Sequence, residues 1–407
     1  MTIVNGEIGL KLLEIVFSAI ALLLLVPVSV LWTECTAAFL PQRRLEPTPE
    51  LRPRVNVLIP AHNEEMVLRL TLENLLPQLM PQDRLIAIAD NCNDETASVA
   101  RSLGVEVIER QEPERRGKGY ALDYGLKFIA QAPPEVVVVI DADSIITPGT
   151  LDCLARLTYA TNRPVQATYL LTQPANSEPK QAISALAFLV KNLVRPRGLD
   201  RLSLPCLLTG TGMAFPWKAI ETISLASGNI VEDMQLGLDL AIAGYLPMFS
   251  DEAKVTGLLP QQQNAAKSQR TRWEHGHLQT LLTQVPRLLQ ASWQQKSFPL
   301  FALALDLCVP PLSLLVIMWL SAVVAALSLG WLGAIWVPLV ILAVEGLLIL
   351  LSIFEAWAGF GRTTLPLLAL IGIPLYILWK IPLYLAFLAK PQTKWIRTDR
   401  DVVEEGK

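Results

Sequence analysis

Cysteine is scarce and unpatterned in this chain. Its 407 residues hold five, at Cys35, Cys92, Cys153, Cys206 and Cys308, odd in number and without Cys-x-x-Cys spacing. That argues against a zinc site or a disulfide framework and suits a reducing cytosolic face. Histidine is scarcer, with only His62, His275 and His277. The last two stand two apart and cannot share a helix face, so local hydrogen bonding is expected of them rather than a metal centre. A basic excess is missing as well. Lys and Arg number 34 against 37 Asp and Glu, a net charge of −3, which argues against nucleic acid as the main partner. No Gly-x-Gly-x-x-Gly follows the first strand, and there is no Walker A sequence and no internal repeat. A dinucleotide-binding fold is therefore disfavoured.

Apolar residues are abundant, at 52%. The run from Ile15 to Leu31 is long enough to cross a hydrocarbon core. Glu7 and Glu14 outnumber Lys11 ahead of it, and no small-x-small site follows, so an uncleaved helix is favoured over a signal peptide. Arg43, Arg44, Arg52 and Arg54 come next and place the following domain in the cytoplasm. Three further apolar stretches run from Phe298 to Leu329, Leu332 to Phe354 and Leu365 to Leu388; Pro310-Pro311 breaks the first. Lys390, Lys394, Arg397 and Arg400 favour a cytoplasmic tail. Three simple crossings would end outside, so either one stretch is re-entrant or the first spans twice. Asp306, Glu345 and Glu355 lie in or beside these spans, where acids are costly and often line a polar path. The expected organisation is a transmembrane helix in 1–42, a catalytic domain in 43–297, membrane helices in 298–390 and a tail in 391–407.

Between the apolar ends the chain alternates strand and helix. Val55 to Pro60, Arg84 to Asp90, Val105 to Ile108 and Val136 to Ile140 read as buried strands. Helical spacing falls over Glu65–Leu79, Glu95–Leu103 and Lys118–Ala130. The pattern implies an α/β fold with a parallel sheet covered on both faces, whose ligands bind off the carboxyl ends of the strands.

Polar stations follow those strand ends. The first is Pro60-Ala61-His62-Asn63-Glu64-Glu65 and the second ends at Asp90. Asp90 suits a base or ribose, although an Asx turn is the plain alternative for its neighbours. Asp141-Ala142-Asp143 places two carboxylates where a strand breaks. On an extended segment they share a face and suit Mg²⁺ or Mn²⁺ bridging a diphosphate; two solvated loop acids are the alternative. Lys118, between two glycines at a helix start, can reach a phosphate. Glu232-Asp233 opens another helix, where the dipole alone would favour acids; the functional reading makes Asp233 a general base. Gly210 and Gly212 suit backbone beside a bound sugar. Gln269, Arg272 and Trp273 share one helix face at i, i+3 and i+4. Trp offers a platform for a sugar ring and Arg a partner for a departing phosphate. An interfacial helix would carry Trp and Arg anyway, and both readings can hold for one helix.

From Val55 to Trp273 this ordered set resembles the inverting family 2 glycosyltransferases of GT-A fold, in their membrane-integrated branch. That branch includes cellulose, chitin, hyaluronan and poly-N-acetylglucosamine synthases and ceramide glucosyltransferases. The resemblance implies a GT-A domain with a mostly parallel central sheet, plus transmembrane and interfacial helices. It implies donor contacts from Pro60, Asn63, Glu65, Asp90, Lys118, Asp141 and Arg272. Asp141 and Asp143 would hold Mg²⁺ or Mn²⁺, Asp233 would be the base beside Glu232, and Gln269, Trp273, Gly210 and Gly212 would meet the acceptor. The implied partners are a nucleotide-diphosphate sugar (a UDP-sugar is expected), a saccharide or lipid acceptor, membrane lipids and export or accessory subunits. The implied setting is the plasma (inner) membrane with a cytoplasmic catalytic domain and a product among exopolysaccharides. A single-sugar transferase acting on a lipid is the first rival, and an idle sugar-nucleotide sensor the second. A single N-terminal span and a short C-terminal apolar region count against conduction of a long polymer.

Overall fold

The computed structural model describes residues 2–42, 52–172, 179–226, 231–258, 263–330, 336–363 and 365–389. Arg43, Arg44, the segment 227–230 and the basic tail from Lys390 lie outside the described residues.

Eight strands form one sheet: β1 Val55–Ala61, β2 Arg84–Asp90, β3 Glu106–Arg110, β4 Val136–Val139, β5 Ser144–Ile146, β6 Val165–Thr172, β7 Met213–Pro216 and β8 Met248–Leu258. Their order is β3-β2-β1-β4-β7-β6-β8-β5. The block β3-β2-β1-β4 is parallel, whereas β7 runs antiparallel to both β4 and β6. The sheet is therefore mixed and mostly parallel. Successive side chains of a strand point to opposite faces, and both faces are covered. Val57 and Ile59 of β1, with Val136 and Val138 of β4, pack into one core with Leu68, Leu72 and Leu151. Leu58, Val137 and Val139 join Leu122, Ile129 and Phe215 in the other. This double burial is why the strands read as unbroken apolar runs.

The helices of this domain are α2 Leu68–Leu75, α3 Thr96–Ser102, α4 Lys118–Ile129, α5 Thr150–Thr161, α6 Pro179–Leu189, α7 Arg195–Arg201, α8 Trp217–Ile220, α9 Glu232–Ile242 and α10 Gln263–Gln295. A π-helical turn, Val190–Val194, joins α6 to α7. From β1 the chain passes to β2 on one side, while β4 lies on the other. That switch point opens a crevice at the carboxyl ends of β1, β2 and β4.

The apolar helices are α1 Thr2–Ala37, α11 Phe298–Cys308, α12 Leu312–Gly330, α13 Trp336–Ala356 and α14 Ile373–Ala389. Among the described residues three stretches are long and apolar enough to cross a membrane: Lys11–Ala37, Trp336–Gly361 and Leu367–Ala389. α11 and α12 could form a fourth but bend by 72° at Pro310-Pro311. A buried clamp ties this part to the sheet domain. Arg195 of α7 donates to Glu34 of α1 at 2.5 Å and to the carboxylate of Asp306 in α11. Gly198 permits the approach, since a Cβ there would stand 1.9 Å from the Glu34 carbonyl oxygen.

α14 lies along the sheet domain. Lys380 pairs with Glu274 of α10, His275 meets the Leu383 carbonyl at 3.1 Å, and His275 also packs edge-on against Phe387. Trp379 sits under Lys180 of α6 and Arg270 of α10. The inward side of α14 carries Tyr376, Lys380 and Tyr384, whereas Leu375, Leu378, Leu385 and Leu388 are exposed.

Candidate active site

The polar ends of β1, β2 and β4 converge on one cavity of about 330 Å³. Pro60, His62 and Glu64 line it from β1, Asp90 from β2, and Asp141 and Asp143 from the end of β4. Lys118 enters from the start of α4, Glu232 and Asp233 from the start of α9, and Gln269, Arg272 and Trp273 from α10. Acids far apart in the chain thus share one space.

At its centre Lys118 pairs with Asp141 and donates to the Gly210 carbonyl oxygen at 2.5 Å. Gly210 has φ +96°, and a Cβ there would stand 3.2 Å from Asp233 Oδ2 and 3.7 Å from Lys118 Nζ. Glycine is required here twice, by conformation and by the closeness of two charged groups. The antiparallel pairing of β7 with β4 makes this contact. Gly212 N donates to the Val139 carbonyl at 3.0 Å, and Asp141 N donates to Thr211 Oγ1 at 3.1 Å.

Burial and neighbouring charges shift the titration of the central groups. Burial raises the Asp141 pKa, and Asp143 and Asp233 add to it against the opposing pull of Lys118. Burial disfavours the Lys118 ammonium, but Asp141, Glu232 and Asp233 outweigh it and raise its pKa. Glu232 is pushed up to about 7, first by burial and then by Asp233. Three carboxylates, Asp141, Glu232 and Asp233, act on one central lysine, Asp143 acts on Asp141, and Arg272 adds its field at Glu232.

Asp141 and Asp143 lie just past the end of β4, where the strand gives way to a turn. Ser144 N donates to the Asp141 carbonyl at 3.1 Å and closes a turn, yet both residues line the cavity. Asp90 is buried and already partnered: Arg110 Nη1 donates to its Oδ1 at 2.6 Å, and Asn91 Nδ2 donates to the same oxygen at 3.0 Å. Trp273 extends an aromatic row, with its ring 5.5 Å from Phe188 and Phe188 5.3 Å from Tyr169.

Three expected contacts are placed elsewhere. Asn63 does not line the cavity; at φ 56° its Oδ1 turns back to accept from Asn93 N at 2.9 Å. Glu65 accepts from Glu95 N at 2.9 Å and holds the start of α3. Gly212 packs beneath the site, where a Cβ would stand 2.7 Å from Val255 and 2.9 Å from Ala167. Conversely, sequence reasoning missed Arg110, Lys191, His277 and Lys380. The last three line the cavity, and Arg110 supports it from behind Asp90. The strand-end rule that found Asp90 could also have found Arg110, since β3 ends there.

The chain matches the model of the glycosyltransferase-like family 2 over residues 53–276. It belongs to that family. It is 26% identical over 276 residues to the probable glycosyltransferase YdaM of Bacillus subtilis, and the match covers 61% of each chain. The chain thus spans about three-fifths of that relative's length. It is 23% identical over 306 residues to poly-beta-1,6-N-acetyl-D-glucosamine synthase of Staphylococcus aureus, covering 68% of each. Among solved structures it resembles the mannosyltransferase PcManGT from Pyrobaculum calidifontis in complex with GDP-Man and Mn²⁺. The TM-score is 0.54 at 20% identity, over 90% of this chain and 99% of that one. At this identity the likeness establishes the GT-A fold.

Proposed function

We propose that this family 2 protein is an inverting, metal-dependent glycosyltransferase at a membrane surface. It moves a hexose or N-acetylhexosamine from a nucleotide-diphosphate sugar, with UDP as the proposed nucleotide, to a hydroxyl of a membrane-associated acceptor. The observation that carries this reading is the meeting of Asp141, Lys118, Gly210 and Asp233 in one cavity. Asp233 takes the proton of the acceptor hydroxyl as its oxygen attacks the anomeric carbon. The bond from that carbon to the diphosphate oxygen breaks, and the nucleoside diphosphate leaves. Lys118 and Arg272 face the charge that grows on the leaving group. Glu232 and Gln269 position groups around the base and the acceptor, and Trp273 offers its ring to a sugar face.

The metal site is proposed at Asp141 and Asp143. Among the described residues no three His, Cys, Asp or Glu side chains could together hold a metal ion. Two carboxylates fit Mg²⁺ or Mn²⁺ when diphosphate oxygens and water complete the shell, and the repulsion of Asp143 and Asp233 at Asp141 would be relieved by such a cation. When bound, the ion would neutralise the departing diphosphate.

The relation to a poly-N-acetylglucosamine synthase supports a sugar hydroxyl as acceptor and a role in exopolysaccharide assembly. The apolar upper wall of the cavity, including Pro310, Pro311 and Leu312, supports a lipid-borne acceptor as a second reading. For topology we propose crossings by α1, α12 and α13, with α14 lying in the interface beside α10. Two crossings after the catalytic domain return the chain to the cytoplasmic face, in keeping with the basic tail. The test of the activity is incubation of the purified protein in lipid with radiolabelled nucleotide sugars and Mn²⁺, followed by product sizing. Labelled product that requires Mn²⁺ is expected; donor binding without turnover would revive the sensor reading.

A further inference from the structure

Above the acids, the cavity changes character. Its walls become Phe188, Pro310, Pro311, Leu312 and Tyr376, contributed by α6, the α11–α12 break and α14. This half lies among the apolar helices and remains continuous with Asp233. One unpaired cation is set into it. Lys191 lines the cavity from the π-helical turn Val190–Val194 and makes no hydrogen bond or ion pair among the described residues. The other basic groups nearby differ. Arg195 is held by Glu34 and Asp306, and Lys380 by Glu274. A buried nitrogen of the same cavity, Arg272 Nε, also has no hydrogen-bond partner among the described residues.

The turn explains why Lys191 is there. A π turn inserts an extra residue into a helix and rotates the residues after it, and such turns recur at functional sites. The groups whose fields reach Lys191 are Asp233, Glu274 and Asp306, which favour its charge, and Arg195, which opposes it. Burial is the largest influence and lowers its pKa below the ordinary range. Lys191 is half-buried at the cavity wall, and an ammonium partly withdrawn from water without a hydrogen-bonded partner is disfavoured; an anionic group brought in with a ligand would relieve that cost.

We propose that this upper half is the acceptor subsite, that it takes a hydroxyl-bearing membrane lipid with an anionic phosphate-ester head, and that Lys191 pairs with that anion. The apolar walls take the start of the lipid chains, and the head hydroxyl lies toward Asp233. This rests on the glycosyltransferase reading and names its acceptor class. A lipid-linked saccharide and a simple phospholipid share this chemistry, and a soluble phosphate ester shares the head alone.

The probes are phosphatidylglycerol, diacylglycerol and soluble glycerol phosphate, titrated onto the full chain in neutral detergent and counted by native mass spectrometry. Phosphatidylglycerol should bind about tenfold or more tightly than diacylglycerol, and glycerol phosphate should bind most weakly. Lys191→Met should abolish that preference and Lys191→Arg should keep it. Lys180→Met, which removes a lysine outside the cavity lining, should keep it too. Mn²⁺-dependent UDP binding by each variant checks that the fold is intact. Equal affinity for the two lipids in the wild-type chain, or an unchanged preference in Lys191→Met, overturns the proposal. Glycerol phosphate binding as tightly as the phospholipid overturns its lipid part. Mn²⁺-dependent donor hydrolysis in the same preparation tests the glycosyltransferase reading separately: hydrolysis without lipid preference removes only the acceptor assignment, whereas no hydrolysis with any nucleotide sugar counts against the reading beneath it.

Discussion

Gly210 stands between Lys118 and Asp233: its carbonyl oxygen accepts from Lys118 at 2.5 Å, while the place a Cβ would take lies 3.2 Å from Asp233 Oδ2. Gly210 therefore links Lys118, the proposed donor-phosphate contact, to Asp233, the proposed base. Gly210→Ala should lower turnover, because its Cβ would stand 3.2 Å from Asp233 Oδ2 in a backbone conformation that alanine rarely adopts. A loss of about tenfold or more in kcat/KM is expected, read in the transfer assay, together with a small loss of thermal stability.

Asp143→Ala should weaken Mn²⁺-dependent donor binding by about tenfold to a hundredfold. Calorimetric titration of a nucleotide sugar with and without Mn²⁺ reads this directly. Equal metal dependence in the variant and the wild type would remove Asp143 as a ligand.

Glu232 ties stability to pH. Its pKa rises from 4.5 to about 7 on folding, so the folded chain holds this proton between those values while the unfolded chain releases it. The contribution is present below 4.5, falls as pH rises through the window and stays lost above 7. Glu232→Gln should accordingly raise the melting temperature of the ligand-free protein above pH 7 and change it little below 4.5. A melting series across that window is the check; an effect confined to the acid side would contradict the assignment.

Arg110→Met should destabilise the domain, because it leaves the buried Asp90 carboxylate without its cation. Removing one partner of such a pair costs about 3–5 kcal/mol. Thermal unfolding should register it, and Asp90→Asn in the same background should recover part of the loss.

Much of the catalytic half was legible because each strand ends where an apolar run meets a charged residue. That rule located Asp90 and Asp141, flanking glycines at a helix start located Lys118, and helical spacing located Gln269, Arg272 and Trp273. It could not separate residues that aim into a crevice from residues that brace its loops. Asn63 and Glu65 follow a strand end as closely as Glu64 does, yet their side chains hold the turn and α3. Lys191 was hidden because a π turn breaks the 3.6-residue period by one position. Hydropathy likewise cannot tell a crossing from a helix lying along the interface. The Lys380–Glu274 pair and the contact of His275 with Leu383 set α14 beside α10, and neither is visible in an apolar run.

The most direct measurement is sugar transfer by Asp233→Asn beside the wild type, with Mn²⁺ and the same labelled donor. Turnover should fall by about 10²–10⁴-fold while donor affinity holds. Transfer at the wild-type rate would contradict the assignment of Asp233 as the base and, with it, the catalytic centre described around Gly210.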